Sequence, residues 1–132
     1  YVKGRKVVLF AVPGAFTPTC SEKHLPSFLD GADEIKAKGV AAIACVAVND
    51  PFVLRAWDAA AGIDGKIDLF SDGNAEFTRA IGLDFDGSGV GLGTRSRRYA
   101  MVVDDGVVKT LLIEDAPSQA DKSSASSILS AL

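Results

Sequence analysis

Residues 7–20 have the sequence VVLFAVPGAFTPTC, in which an uninterrupted apolar run leads through a turn to a cysteine. The run Val7 to Val12 is rich in β-branched side chains and ends at Pro13-Gly14, which is typical of a strand buried on both faces. Thr17-Pro18 then matches the N-cap and the first position of a helix. The stretch therefore predicts a buried strand, a short loop, and a helix that carries Cys20 in its first turn.

The remaining elements continue the alternation of strand and helix. The helix that begins after Thr17 extends to Gly39, with a kink expected at Pro26, and a second buried strand covers Val40 to Val48. A helix capped by Asp50 follows. The later elements are a strand, a helix, the two strands of a hairpin and a terminal helix, at Ile67 to Phe70, Ala75 to Ile81, Tyr99 to Val103, Val107 to Leu112 and around Ile128. This order predicts one α/β domain over residues 1–132, with a thioredoxin-like fold in which helices flank a central mixed sheet.

Length and composition exclude several classes of function. A chain of 132 residues with 48% hydrophobic and 23% charged residues is expected to form one globular domain with a single core. Its net charge of −3 would repel a phosphate backbone, so we expect no nucleic-acid partner. The longest apolar runs fall far short of the ~20 residues that span a bilayer, so we expect no membrane partner.

Cysteine and histidine usage narrows the chemistry further. The single histidine, His24, has no cluster of further ligands around it, so we expect no metal site and no cofactor. With only Cys20 and Cys45, the sequence indicates free thiols in a reducing compartment rather than a disulfide framework.

The chemistry is expected after the first strand, because sites in open α/β sheets lie beyond the carboxyl ends of the strands. A thiolate at Cys20 would be favoured by the unpaired N–H groups and the dipole of the helix N-terminus. Lowering a cysteine pKa from ~8.5 to ~6 raises the thiolate fraction at pH 7 about thirtyfold, but the weaker nucleophile leaves a net gain of only about two- to threefold. An efficient enzyme therefore needs further groups that orient the substrate and stabilise its transition state.

The residue types around Cys20 suggest which reaction these groups serve. A disulfide oxidoreductase of the Cys-x-x-Cys type is disfavoured, because the positions three residues away are Thr17 and Lys23. The Thr17 hydroxyl can instead donate to or accept from a small polar substrate held over the sulfur. A thiolate, a hydroxyl and a cation suit the cleavage of an O–O bond.

The octapeptide PGAFTPTC at residues 13–20 resembles the peroxidatic motif of peroxiredoxins of the atypical type II subfamily, which is similar to the fifth mammalian class. Stretches similar to plant and algal members cover nearly the whole chain, namely His24-Leu25-Pro26, residues 36–40, residues 48–53, residues 91–99 and residues 102–106. The resemblance implies that Cys20 is the peroxidatic cysteine and that Thr17 and Arg98 are catalytic. It also implies that Pro13 shields the pocket and that Gly14 belongs to the same loop.

The resemblance further implies a thiol peroxidase that reduces hydrogen peroxide and alkyl hydroperoxides through a sulfenic acid. Glutaredoxin, thioredoxin or glutathione would regenerate the thiol, and the protein would be a homodimer. Chloroplast stroma is the expected compartment, with the cytoplasm as the alternative. Relative to family members, this chain lacks an N-terminal hairpin, which would leave an edge strand exposed.

The two cysteines do not have equal standing. The resolving cysteine of mammalian members is absent, since that region reads Lys122-Ser123-Ser124 here. Cys45 matches the second cysteine of plant members, some of which form a disulfide with the peroxidatic residue. Cys45 lies inside a run buried on both faces, however, and a structural role is favoured over a resolving one.

The arginines, the histidine and a glycine-rich stretch have competing interpretations. Strand alternation would place Arg98 opposite Arg97, with Arg95 as possible support for the site. His24 lies four residues after Cys20, and packing or a supporting hydrogen bond is favoured over a Cys-His hydrolase pair. Residues 87–93 contain four glycines, but no strand is expected before them and nucleotide binding is not predicted. The rival function is a redox-sensing or holdase-type interaction protein.

Overall fold

A five-stranded mixed sheet organises the chain. The computed structural model describes residues 3–19, 23–116 and 120–132. Its elements are β1 (Lys6–Val12), α1 (Leu25–Ala37), β2 (Ala42–Ala47), α2 (Pro51–Ala61), β3 (Asp68–Ser71), α3 (Glu76–Ala80), β4 (Asp84–Asp86), β5 (Thr94–Ser96), β6 (Tyr99–Asp104), β7 (Val107–Ile113) and α4 (Ala125–Ala131). The sheet order is β3-β2-β1-β6-β7, with β1 parallel to β2 and β2 to β3, while β6 pairs antiparallel with β1 and β7. The predicted α/β architecture is therefore confirmed.

The sheet separates two apolar clusters. One face of β1 and β2 carries Val8, Phe10 and Cys45, which pack with side chains from α1, α2 and α4. The opposite face carries a smaller cluster that includes Ala11 and Tyr99. Because consecutive strand residues point to opposite faces, strands covered on both sides must be apolar throughout, as the runs in β1 and β2 are.

Local signals fixed several element boundaries as predicted. Asp50 caps α2 by accepting a hydrogen bond from the Val53 N–H, and Gly62 ends the helix in the left-handed conformation. Asp105 and Gly106 both have positive φ between β6 and β7, as a two-residue hairpin turn requires.

Two expectations are corrected by the structure. A strand does precede the glycine-rich residues 87–93, since β4 ends at Asp86 and pairs with β5. Arg97 and Arg98 lie in the connection between β5 and β6 rather than within a strand. The irregularity expected near Pro26 is a π-helical turn at Lys23 and His24, directly before α1. None of the helices in the described ranges is long and apolar enough to cross a bilayer.

The end of β3 is tied to the start of α3 by one carboxylate. Asp72 accepts hydrogen bonds from the N–H groups of Phe77 and Thr78 and from the hydroxyl of the buried Thr78. The backbone N–H of Asp72 also donates to the carbonyl of Ala47 at the end of β2. One side chain therefore fixes a helix N-terminus beside the carboxyl ends of two strands.

We predict that Asp72→Ala lowers the free energy of unfolding by about 2–3 kcal/mol, because it leaves a buried hydroxyl and two N–H groups without their acceptor. The matched control is Asp50→Ala, which removes a cap with a single exposed bond and should cost about 1 kcal/mol. Denaturant unfolding of both variants checks this, and equal losses would contradict it.

Candidate active site

The loop after β1 is closed by the Thr17 side chain. Pro13 and Gly14 are buried, while Phe16 adopts a positive φ of 64° and is half exposed. The Thr17 N–H and hydroxyl both donate to the Gly14 carbonyl, at 3.4 and 2.6 Å. Since a hydroxyl has one hydrogen, the Thr17 oxygen can only accept from any further partner. The sequence left open whether the Thr17 hydroxyl would donate to a substrate or accept from it, and this geometry leaves it as an acceptor.

Asn49 connects this loop to the carboxyl end of β2. Its Oδ1 accepts a hydrogen bond of 2.9 Å from the Ala15 N–H, and its carbonyl accepts from the Ser71 hydroxyl at the end of β3. The turns after β1, β2 and β3 are thereby joined through one residue.

Arg95 holds the other side of the loop. Its guanidinium donates to the Val48 carbonyl at 3.0 Å and its Nε to the Leu92 carbonyl at 2.9 Å. A Cβ at Gly14 would lie 3.2 Å from the Arg95 Nη1, closer than an ordinary contact. A larger residue at position 14 would have to displace the Arg95 guanidinium or the Thr17 methyl group, which lies at the same distance.

Arg98 lies buried against His24. The residue is 2% exposed, and its Nη1 is 2.8 Å from the His24 Nδ1, while the His24 Nε2 is 2.9 Å from the Ser123 carbonyl. Arginine can only donate, so Nδ1 must be the unprotonated nitrogen and Nε2 must carry the hydrogen. Burial and the Arg98 charge lower the pKa of His24 to about 3, although the Ser123 carbonyl and Glu114 oppose the shift. The imidazole is therefore neutral at physiological pH.

Aromatic packing fixes the plane of this imidazole. The His24 ring lies 4.9 Å from the Phe10 ring and 5.5 Å from the Phe28 ring, tilted by 59° to each. Phe10 and Phe28 stack on one another at 4.1 Å. The core between β1 and α1 thus restrains the plane of the ring, while its two hydrogen bonds set the direction of the nitrogens within that plane.

The predicted site residues fall into two described groups and one separate position. Pro13, Gly14, Thr17 and Arg95 form the loop cluster, and His24 and Arg98 form the buried pair. Cys20 lies outside the described residues. Cys45 is 1% exposed in the middle of β2, where every residue is buried.

Three residues with site contacts were missed by the sequence analysis. Asn49 was given no role, although its position at the carboxyl end of β2 places it beside the loop after β1. Ser123 and Glu114 reach His24 and Arg98 from distant parts of the chain, and no local pattern indicates them. Within the described ranges, no three metal-ligating side chains lie close enough to hold an ion.

Residues 2–129 match the protein family described as Redoxin. The chain is 63% identical to rice (Oryza sativa subsp. japonica) Peroxiredoxin-2E-2, chloroplastic, over 85% of its own length but 51% of the relative's. It is 47% identical to Arabidopsis thaliana Peroxiredoxin-2B over 98% of its length and 79% of the relative's. The structure of reduced Prx3 in complex with hydrogen peroxide from Vibrio vulnificus is similar, with a TM-score of 0.93, 55% identity, and coverage of 98% of this chain and 83% of that one.

The fold and these matches define a thioredoxin-like redoxin. More narrowly, the chain belongs to the peroxiredoxin family, in its type II branch. It spans about half the length of the rice relative.

The buried neutral histidine predicts a specific dependence of stability on pH. Because the pKa of His24 is about 3 in the folded state and ~6.5 in the unfolded chain, the unfolded state binds more protons between these pH values. The stability that the neutral His24 imidazole contributes is complete above about pH 6.5 and is lost as the pH falls towards 3. Between pH 7 and pH 5 we expect this one group to remove about 2 kcal/mol from the free energy of unfolding.

The measurement is denaturant unfolding of the wild type and of His24→Asn at pH 7, 6 and 5. The wild type should lose about 2 kcal/mol more than the variant over this range, since the other shifted acidic groups titrate at lower pH. Identical pH slopes for the two proteins would show that His24 is not held neutral.

Proposed function

We propose that the protein is a thiol peroxidase that reduces hydrogen peroxide and small alkyl hydroperoxides, with Cys20 as the peroxidatic residue. The observation that carries the proposal is the buried Arg98 guanidinium, hydrogen-bonded to a neutral imidazole only four positions along the chain from Cys20. A desolvated cation suits the negative charge that develops as an O–O bond breaks, and the sequence predicts that Cys20 lies in the first turn of the helix that leads to His24. The similar Vibrio vulnificus protein, solved in complex with hydrogen peroxide, supports the same substrate.

In the reaction, the Cys20 thiolate attacks the distal oxygen of the hydroperoxide. An S–O bond forms as the O–O bond breaks, so sulfur is oxidised to the sulfenic acid, and the released oxyanion takes a proton to become water or an alcohol. Arg98 would stabilise the charge on the leaving oxygen. Thr17, whose hydrogen is used on Gly14, would accept a hydrogen bond from the peroxide O–H and so orient it. Pro13 would shield the pocket, while Gly14, Arg95 and His24 would support the loop and the arginine.

Regeneration would proceed through an external thiol. The thiol condenses with the sulfenic acid to a mixed disulfide with loss of water, and a second thiol releases the Cys20 thiolate. Glutaredoxin, thioredoxin or glutathione would supply these thiols. Cys45 is buried in the middle of β2, where a thiol is expected to be inert, so we assign it a structural role in this cycle.

We predict that Cys20→Ser reduces the peroxide reaction to the uncatalysed background, because the nucleophile is lost. Cys45→Ala should keep the wild-type rate within about twofold, because Cys45 takes no part in the proposed attack. Stopped-flow reaction with hydrogen peroxide and glutathione measures both. Intact mass after one equivalent of peroxide should show the gain of one oxygen.

Two outcomes would contradict this cycle. A wild-type rate no faster than that of Cys20→Ser would remove the peroxidase and favour the redox-sensing alternative. Loss of two hydrogens in the wild type, abolished in Cys45→Ala, would make Cys45 the resolving residue.

We also propose that the protein is a homodimer that pairs through an apolar rim beside the site, formed by Phe16, Phe52 and Phe77. These side chains are 52%, 77% and 42% exposed, and they follow the carboxyl ends of β1, β2 and β3 respectively. The Asn49 bonds that join the three turns hold the rim together. Aromatic side chains are enriched at protein interfaces, and three exposed ones at the same edge of the sheet suit such a role.

The homodimer is tested by light scattering. Wild type should have twice the mass of one chain, and Phe52→Asp should shift the mass to the monomer because a charge would be buried in the interface. The control is Val107→Asp, which places the same charge at an exposed position on the outer strand β7 and should leave the dimer intact. A monomeric wild type, or equal effects of the two substitutions, would contradict the proposed interface.

We place the protein in a plastid, with the stroma as the expected compartment and the cytoplasm as the alternative. The similar rice relative, Peroxiredoxin-2E-2, is described as chloroplastic, which supports this assignment.

A further inference from the structure

Four buried residues close a circuit of hydrogen bonds behind the candidate site. The Arg98 Nη1 donates to the His24 Nδ1 at 2.8 Å, and the His24 Nε2 donates to the Ser123 carbonyl at 2.9 Å. The Ser123 N–H and hydroxyl both donate to the Glu114 Oε2 at 2.6 Å. The Glu114 N–H returns to the Arg98 carbonyl at 2.9 Å. We call this set, Arg98, His24, Ser123 and Glu114, the arginine circuit.

The side chains of the circuit are buried. Its members are at most 3% exposed, and they come from the start of α1, the β5–β6 connection, the end of β7 and the residue before the α4 cap. Hydrogen bonds in such a setting are costly to leave unmade, so each member constrains the next.

The arginine circuit contains one buried cation, Arg98, and one buried carboxylate, Glu114. Glu114 is the only carboxylate among the buried residues of the described ranges, and it faces the circuit that contains the buried Arg98 cation. Burial would raise the pKa of Glu114, but the hydrogen bonds from Ser123 and its neighbours outweigh burial and lower it. The carboxylate is therefore ionised, so the circuit contains one buried anion as well as one buried cation.

We propose that Ser123 and Glu114 are positioning residues for the peroxide reaction, which fix the Arg98 guanidinium through His24. The inference rests on the proposed peroxidase function. The hydrogen bond to His24 cannot fix Arg98 by itself, because an imidazole that is held at only one nitrogen can move together with the guanidinium. The Ser123 carbonyl anchors the other nitrogen, and Glu114 anchors Ser123 by accepting two hydrogen bonds from it. The segment before α4 would thus hold a catalytic group that it does not touch.

The experiment compares two reactions of the same thiol in the purified protein. The reaction with hydrogen peroxide requires the Arg98 guanidinium at the position where the leaving oxygen becomes charged. Alkylation by the neutral reagent iodoacetamide breaks no O–O bond and therefore does not need the guanidinium at that position. We expect Glu114→Ala to lower the second-order rate constant with peroxide by roughly tenfold or more, since small misplacements of catalytic groups cost up to about a hundredfold. The alkylation rate should stay within about twofold.

Two milder variants grade the effect and keep the test valid if Glu114→Ala does not fold. Glu114→Gln retains an acceptor oxygen for Ser123 and should recover part of the rate. Ser123→Ala loses one hydrogen bond and should lower the peroxide rate by about fivefold.

Matched controls come from the neighbouring residues. Asp115→Asn removes a negative charge from the exposed position next to Glu114, where Asp115 pairs with Lys122. Ser124→Ala removes the side-chain cap of α4 next to Ser123 and loosens the same segment without touching the circuit. Both should react with peroxide within about twofold of the wild type.

The inference is overturned if the Glu114 and Ser123 variants react with peroxide like the wild type. It is also overturned if peroxide and alkylation rates fall by the same factor, or if Ser124→Ala matches Ser123→Ala, because the role would then be structural. A wild type without peroxidase activity would instead remove the proposed function and, with it, this inference.

Discussion

The candidate active site depends on keeping the Arg98 guanidinium charged and in a fixed position inside the protein. Taking a guanidinium out of water costs several kcal/mol unless its donors are satisfied, and here one donor is met by an imidazole that must stay neutral to accept it. The neutral imidazole in turn needs burial, which Phe10 and Phe28 provide, and an acceptor for its remaining hydrogen, which the Ser123 carbonyl provides. The core packing of β1 against α1 is therefore also the foundation of the site.

The site combines two kinds of constraint. The loop after β1 is held by backbone contacts, because Thr17 closes it on Gly14 and Asn49 and Arg95 tie it to the end of β2. Arg98 is held by side chains from far along the chain. In the proposed mechanism the first constraint orients the hydroperoxide and the second supplies the charge that its cleavage requires.

The sequence predicted those features that depend on residues close together along the chain, and it missed those that depend on distant residues. The apolar runs of β1 and β2, the Asp50 cap and the Asp105-Gly106 turn act within a few residues, and each element was found where its pattern indicated. The strands β4 and β5 have three residues each, too short for alternation to be visible, and the hairpin they form was missed. Glu114 and Ser123 could not be predicted either, because Glu114 is 16 residues from Arg98 and Ser123 is 99 residues from His24. Only the topology brings them together.

The claim on which the account depends is that His24 accepts from Arg98 as a neutral imidazole with its hydrogen on Nε2. As this is the only histidine in the chain, nitrogen NMR of the tag-free protein reports it without overlap. The account predicts an unprotonated Nδ1 and a protonated Nε2 that stay unchanged from pH 7.5 down to pH 5. An imidazole that gains a proton near pH 6.5, or that carries its hydrogen on Nδ1, would contradict it.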